Sequence, residues 1–512
     1  MSLMTRSSTV DGIIRRSART FRDRPATIFG DRTLSYAALD EAVSRAAAHL
    51  LGLGLTKGAR VAAYGKNSDA YLIGFLACAR AGLVHVPLNY NLTGPELSYL
   101  VTQSGSRTIL HDPALAGHVD LLDPEALDLL EHRIPLRDAE GSLIDVALAG
   151  PVPEIEVEVA DTDTAQFLYT SGTTSRPKAA IMSHRALVHE YVSCIVALDL
   201  APDDNPLHVM PLYHSAQMHV FLVPWLAVGA TNTILEVPDA GEVLRRIEHD
   251  GHRAFFAAPT LWVAMANHAD FETRDLDGLH KAYYGASIMP VPILQRIQGK
   301  APDLGFYNCF GQSEVAPLAT VLRPEEHADR PDSAGRPVLF VEARVVDPEG
   351  NDVEPGGTGE VIYRSPQLCD GYWDNREATE EAFAGEWFHS GDLVRIDEEG
   401  YLFVVDRIKD VINTGGVLVA SREVEDALYT HPAVAEVAVV GSPDEKWVEA
   451  VTAFVVPKAE VTEADLIDHV RGSLASFKIP KRITFVDALP RNASGKILKR
   501  ELRSGADSGA RA

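Results

Sequence analysis

The sequence predicts an α/β fold: a large N-terminal domain of several subdomains, made of α/β sheets plus a small β-rich subdomain, followed by a small α+β C-terminal domain. Three observations carry this expectation. Helix-period and strand-like apolar segments alternate through the first part of the chain. Short β runs separated by Gly, Pro and Asp turns take over between about 325 and 405. The last stretch, about 410 to 500, has helices and strands of its own. At 512 residues the chain is also too long for one hydrophobic core.

Taken in order, Leu39–Leu53 sets apolar residues at helical spacing and is rich in alanine, and Arg60–Tyr64 reads as a strand. Ala70–Ala81 is a second apolar helix and Leu83–Leu88 a second strand. The glycines of Gly52-Leu-Gly-Leu-Thr-Lys-Gly58 follow a helix and precede a strand, the reverse of a dinucleotide-binding turn, so they read as a helix-ending turn. An apolar run, Ala165–Tyr169, leads into a polar loop that a second apolar run closes after Lys178. Arg185–Leu198 is helical in pattern, and Leu207–Leu212 is a strand leading into Tyr213-His214-Ser215. The β-rich part contributes runs starting at Glu342, Glu360 and Leu402. The C-terminal part contributes a helix (Arg422–Tyr429), two strands (Glu436–Val440 and Ala450–Val456) and a helix (Glu463–Leu474). The tail from Ser504 is small and polar and is expected to be disordered.

Composition narrows the function classes. Hydrophobic residues make up 46% and charged residues 23%, ordinary for a globular protein. A formal net charge of -25 argues against a nucleic-acid partner, which requires a basic face, but not against ATP, which needs only a local basic loop. Cys78, Cys194, Cys309 and Cys369 lie far apart, without metal-ligand spacing, and read as reduced thiols in a cytoplasmic protein. The polar N-terminus shows no signal peptide, and no apolar run approaches a membrane-spanning length.

The loop from Thr170 to Lys178 concentrates hydroxyls (Thr170, Ser171, Thr173, Thr174) around Gly172 and ends on a lysine. Hydroxyls and backbone amides beside a glycine cradle phosphate oxygens, and a lysine adds charge. A Ser/Thr-rich hairpin turn has the same composition. The order Thr170-Ser171-Gly172-Thr173-Thr174-Ser175-Arg176-Pro177-Lys178, however, resembles the phosphate loop of the adenylate-forming superfamily, which includes acyl-CoA synthetases. Ser175 stands where that family usually has a second glycine. The Walker pattern is absent from the chain.

The resemblance runs over nearly the whole sequence. Gly285-Ala286-Ser287 is similar to the segment lying along the adenine, which implies that bare backbone meets the base. Tyr307-Asn308-Cys309-Phe310-Gly311-Gln312-Ser313-Glu314 is similar to the family's Tyr-Gly-x-Thr-Glu segment. It implies Phe310 stacked on adenine, Asn308 at its polar edge, Ser313 on the α-phosphate, and Glu314, with Thr170, on Mg²⁺. Phe310 and Ser313 replace the usual Tyr and Thr but keep a ring and a hydroxyl. His389-Ser390-Gly391-Asp392 resembles the Thr-Gly-Asp segment and implies Asp392 on the ribose hydroxyls, with Arg407 also on the nucleotide. The resemblance further implies a hinge at Lys409, dividing the chain into residues 1–408 and a mobile 409–512 lid, and a thiol channel past Gly415 and Gly416. Lys496, in Pro490-Arg-Asn-Ala-Ser-Gly-Lys, becomes the catalytic lysine, joined by Thr170 and His214. The acid is expected to meet His214, Met218, Tyr284, Gly285 and Gly311. His214 is alternatively a core histidine, and Met218, Phe221 and Trp225 alternatively plain helix core.

These residues imply an ATP-dependent ligase that makes an acyl-adenylate and passes the acyl group to a thiol, releasing AMP and pyrophosphate. With no acid residue after the histidine segment, an amino-acid substrate is disfavoured. A short- to medium-chain fatty acid joined to CoA is the first expectation and an aryl acid the second. Loading of an acyl carrier protein's phosphopantetheine is an alternative acceptor, and a non-catalytic nucleotide-binding relative a remote one. The sequence does not give the oligomeric state, monomer or homodimer.

Overall fold

A computed structural model describes residues 8–170, 176–287, 289–415, 417–444, 447–491 and 497–503. Packing divides the chain into two compact units. The first takes the chain up to Ala343, apart from 172–176, and Tyr363–Phe388; the second takes Arg344–Ile362 and the chain from His389 onward. The division expected at 408/409 falls inside the second unit.

The first unit is built on two large sheets. One has nine strands in the spatial order Arg336–Pro337, Leu318–Leu322, Gly305–Gly311, Lys281–Gly285, Ala254–Phe256, Leu207–His208, Asn232–Ile234, Pro25–Phe29, Arg32–Ser35. Its middle is parallel and its two edges antiparallel. The other has six strands, in the order His132–Pro135, Thr108–His111, Arg60–Tyr64, Val84–Leu88, Thr164–Thr170, Lys178–Ser183, all parallel except the last. Parallel strands need crossovers, and helices supply them. The helix Asp69–Ala81 is buried along its whole length, which explains a sequence that is apolar apart from Asp69 and Arg80, each buried in an ion pair. It starts where Ser68 caps the Tyr71 amide and stops at Gly82, whose φ of 65° closes it.

Most expected elements form, with shifted ends: helices Tyr36–Gly52 and His184–Ala197, strands Arg60–Tyr64 and Val84–Leu88. The strand expected over Leu207–Leu212 keeps only Leu207–His208. Beyond it, side-chain amides replace the ladder: Asn67 Nδ2 donates to the carbonyls of Val209 and Met210 at 3.2 and 3.0 Å, and Gln217 Oε1 accepts from the Met210 amide.

The second unit holds most of a four-stranded sheet (Glu342–Val346, Thr358–Arg364, Phe388–Ile396, Leu402–Arg407). It also holds a five-stranded sheet around the long antiparallel pair Val434–Asp444 and Val448–Pro457. Helices Ser421–Tyr429 and Glu463–Val470 belong to this unit, and Val424, Leu428, Leu466 and Val470 sit in its core. The second helix begins at a Thr462/Asp465 capping box and ends before Gly472, four residues short of the expected Leu474. No helix among the described residues is long and apolar enough to cross a membrane.

Candidate active site

In the first unit, the parallel strands set the site. From Leu207–His208 the chain passes to Asn232–Ile234 on one side and then to Ala254–Phe256 on the other. Such a reversal of strand order opens a crevice at the carboxyl ends of the strands. The segments leaving those ends are Met210–Ser215, Ala286–Ser287 and Gln312–Glu314. They lie together: Ser215 Oγ and Ser313 Oγ are 3.3 Å apart, and Gly285, which Ala286 follows, pairs with Cys309 on the strand that leads to Gln312. The structure thus brings together three of the segments singled out in the sequence.

Two glycines here are fixed by close backbone approach. A Cβ on Gly285 would stand 2.3 Å from the Cys309 carbonyl oxygen, and one on Gly311 2.0 Å from that of Pro317. Ala286 follows with φ 66°, an uncommon conformation for alanine, and with Ser287 it is exposed. Asn308 spends its Nδ2 on the Ser333 carbonyl at 2.8 Å, which leaves its Oδ1 to act as acceptor. Phe310 is half-buried. Gln312 Nε2 is buried with no partner among the described residues, an orphan donor beside Ser313.

Ser313–Val315 is a tight 3-10 turn, and Glu314 is 8% exposed. Tyr372 donates its hydroxyl to Glu314 Oε1 at 2.9 Å, and the Cys369 amide donates to the Glu314 carbonyl at 2.8 Å. Behind this turn Glu190 is fully buried, accepting from the Leu318 amide and from Gln367 Nε2, and burial pushes its pKa well up. Gln367 also donates to the Val315 and Leu318 carbonyls. Sequence reasoning missed Tyr372, Gln367 and Glu190.

Thr164–Thr170 and Lys178–Ser183 pair as an antiparallel hairpin with Thr170 opposite Lys178, so the two ends of the polar loop are pinned side by side. Ser171, Gly172, Thr173 and Thr174 lie outside the described residues. Lys178 Nζ sits 5.3 Å from the centre of the Tyr372 ring.

His214 retains exposed surface while the protein mass around it holds its pKa below the usual imidazole range. That combination describes the wall of a recess rather than a core position, and it leaves the ring neutral at pH 7. Met218 differs: at 1% exposed, in the π-helical turn Ala216–Leu222, it packs into the hydrophobic core. Tyr284, at 2% exposed, turns its hydroxyl to His327 Nε2. Neither presents open side-chain surface for an acid. Phe221 stacks on Phe256 at 4.2 Å and Trp225 donates to Asp204, so both are core as well.

In the second unit, Asp392 and Arg407 are opposite each other on paired strands, with Arg407 Nε 2.7 Å from Asp392 Oδ1. Asp392 is 4% exposed. Arg407 Nη1 also donates to the Ser390 carbonyl at 3.1 Å, so the guanidinium holds both the carboxylate and its turn. Asp406, the next residue toward the N-terminus, points the other way and caps the helix Ser421–Tyr429, accepting from the Ser421 amide and hydroxyl. Lys409 is exposed in the turn Ile408–Asp410, whose ends Arg503 ties through the Lys409 carbonyl and Asp410. Gly415 turns a hairpin with φ 64°, and Gly416 lies outside the described residues. So does Lys496; on its C-terminal side Lys499 is anchored to Glu425 at 2.8 Å and to Ser421 Oγ at 2.7 Å.

No group of three or more His, Cys, Asp or Glu side chains among the described residues forms a metal cage. Mg²⁺ that travels with nucleotide phosphates needs only one or two carboxylates, and the buried, oriented Glu314 meets that requirement.

Comparison with known proteins identifies the family. The family model of AMP-binding enzymes matches residues 14–373, and the model of the AMP-binding enzyme C-terminal domain matches 423–496. A feruloyl-CoA synthase of an Amycolatopsis species is 37% identical over 95% of this chain and 97% of its own. A fatty acid–acyl-carrier-protein ligase of Streptomyces coeruleorubidus is 34% identical over 94% of this chain and 93% of its own. The crystal structure of the anthranilate CoA ligase AuaEII with anthranoyl-AMP superposes with a TM-score of 0.91 at 26% identity, covering all of both chains.

Proposed function

The chain belongs to the AMP-binding enzymes, the adenylate-forming acid–thiol ligases of the acyl-CoA synthetase family, and from that premise we propose that it joins an aryl or arylpropenoic acid to CoA. It is an AMP-forming ligase that uses ATP. The observation that carries the choice of acid is the wall of the crevice. The apolar candidates Met218, Phe221 and Trp225 are spent in the core instead of lining a chain-shaped tunnel. A crevice without such a tunnel favours a compact planar acid over an extended chain. The relative named for feruloyl-CoA synthesis points the same way. The short- to medium-chain fatty acid expected first from the sequence moves to second place, supported by the carrier-protein ligase relative, which also keeps phosphopantetheine as the alternative acceptor.

A carboxylate is a poor electrophile, because its leaving group would be oxide. Attack of its oxygen on the α-phosphorus of ATP forms the acyl-adenylate and expels pyrophosphate; the thiol then attacks the acyl carbon and expels AMP. The first step demands charge neutralisation and in-line positioning more than a base. In the first unit, we assign Phe310 to the adenine face, Asn308 Oδ1 and the Gly285–Ser287 backbone to its edge, and Ser313 and the orphan Gln312 amide to phosphate oxygens. Lys178 and the loop Thr170–Thr174 hold the β- and γ-phosphates. Glu314, with Thr170, would hold Mg²⁺, which supplies charge neutralisation on those phosphates. In the second unit, Asp392 accepts the ribose hydroxyl protons, Arg407 fixes it, and Lys496 bridges the acid and the α-phosphate. A hinge at Lys409 would exchange Lys496 for the Gly415–Gly416 face between steps. The unpaired thiols suit a cytoplasmic setting.

The test is pyrophosphate release from ATP over hydroxycinnamic, benzoic, arylacetic and straight-chain acids, with Lys496→Ala as control and CoA and a carrier protein compared as acceptors. Release favouring arylpropenoic acids, followed by CoA thioester formation, is expected. Release confined to straight-chain acids with transfer to the carrier protein selects the second reading, and none with any acid sinks both.

A further inference from the structure

The segment from Gln367 to Trp373 runs beside the strand Lys178–Ser183. The Ile181 amide donates to the Gly371 carbonyl, and the amides of Asp370 and Trp373 donate to the carbonyls of Ile181 and Ala179, all at 2.8 to 2.9 Å. The same segment holds the Glu314 backbone through the Cys369 amide. At its centre, Tyr372 reaches both functional groups with one side chain: its hydroxyl donates to Glu314 Oε1 at 2.9 Å, and its ring lies 5.3 Å from Lys178 Nζ. Its own backbone is locked. The Tyr372 amide donates to Thr379 Oγ1 at 2.9 Å, and Gly371, at φ 122°, has no room for a Cβ, which would stand 2.6 Å from Thr379 Cγ2.

We propose that Tyr372 is a positioning residue for Mg·ATP, fixing the Glu314 carboxylate through its hydroxyl and the Lys178 ammonium through its ring. The proposal rests on the assignment of Glu314 to Mg²⁺ and Lys178 to phosphate. A carboxylate with one oxygen held by a fixed O–H presents its other oxygen in one direction, and a charge-assisted hydrogen bond of this kind is among the stronger ones. An ammonium over an aromatic face is likewise held without being neutralised, so it remains available to a phosphate. One rigid side chain thereby sets the spacing between the metal-holding oxygen and the phosphate-holding cation.

The test is calorimetric binding of α,β-methylene-ATP to the full chain, with Mg²⁺ and with EDTA, no acid present. Tyr372→Phe should weaken binding roughly tenfold with Mg²⁺, the size of one hydrogen bond to a charged group, and leave EDTA binding unchanged. In a Glu314→Gln background the same substitution should add nothing, because its effect passes through that carboxylate. Tyr372→Leu, which also removes the ring, should weaken binding under both conditions. Equal losses with Mg²⁺ and EDTA for Tyr372→Phe, or full additivity with Glu314→Gln, would reduce the tyrosine to ordinary packing and overturn the proposal. Wild-type binding that ignores Mg²⁺ overturns it too, through Glu314. Mg²⁺-dependent binding without activation of any acid counts only against the choice of acid.

Discussion

Asp392 illustrates what one buried carboxylate contributes. It is nearly inaccessible, paired with Arg407, and an acceptor on both oxygens, so each oxygen can accept a hydroxyl, whereas an amide has one acceptor oxygen and a donor NH2 in place of the other. Asp392→Asn should therefore raise the KM for ATP by roughly 10- to 100-fold, the loss of one or two hydrogen bonds to a charged group, and leave the KM for the acid near its wild-type value. Kinetics with 3′-deoxy-ATP check the cause: wild type should discriminate against it and Asp392→Asn should not. If discrimination persists in the variant, the ribose contact lies elsewhere. Asp392, Ser313 and Glu314 could be proposed from sequence because each stands in a run of residues whose order is itself informative. Met218 and Tyr284, expected to meet the acid, are buried, because apolar spacing is the same for a pocket wall and for core. Tyr372 gave no signal, since its hydroxyl's partner is 58 residues away along the chain.

At the scale of elements, the alternation of helix and strand was legible, but not where ladders give way to side-chain bonds. Asn67 takes over the backbone of Val209 and Met210 from 142 and 143 residues away, and nothing local to Leu207–Leu212 announces it. Gly285 carries a similar lesson. The sequence suggests a glycine kept small for a base; the paired strands Lys281–Gly285 and Gly305–Gly311 supply another reason, the Cys309 carbonyl 2.3 Å from any Cβ. That obstacle is backbone in a parallel ladder and cannot swing aside. Gly285→Ala should then cost about 1–3 kcal/mol of stability in chemical denaturation without nucleotide, as overpacking does. If the variant is as stable as wild type and only ATP affinity falls, close approach of the ligand is the whole reason for the glycine.

At the scale of the whole molecule, the sequence conveyed fold class and family, while the interior's protonation state emerges only from packing. His85, Gln166, His219 and Tyr191 form one buried chain: Gln166 Nε2 lies 2.9 Å from His85 Nδ1, Gln166 Oε1 2.7 Å from His219 Nε2, and His219 Nδ1 3.0 Å from the Tyr191 hydroxyl. Each contact is satisfied with both rings neutral, and burial pushes the pKa of His85 and of His219 down to about 3. Burial likewise lowers His208 and His184 to about 4. Between pH 6.5 and 5 the unfolded chain protonates these four rings and the folded chain does not, so stability falls as pH falls, by about 2 kcal/mol per ring across that window. Glu190 opposes this: burial raises its pKa, so it stays protonated in the fold to a higher pH than in the unfolded chain and favours folding as pH drops. The neutral rings outnumber it, so the net effect from pH 6.5 to 5 is a loss of stability. Urea denaturation at pH 7.5, 6.5 and 5 should show it, and His219→Gln, which keeps an amide in place of the ring, should shallow the slope by one proton equivalent. A flat profile over that window would mean the rings are protonated in the fold and the buried chain is wired differently.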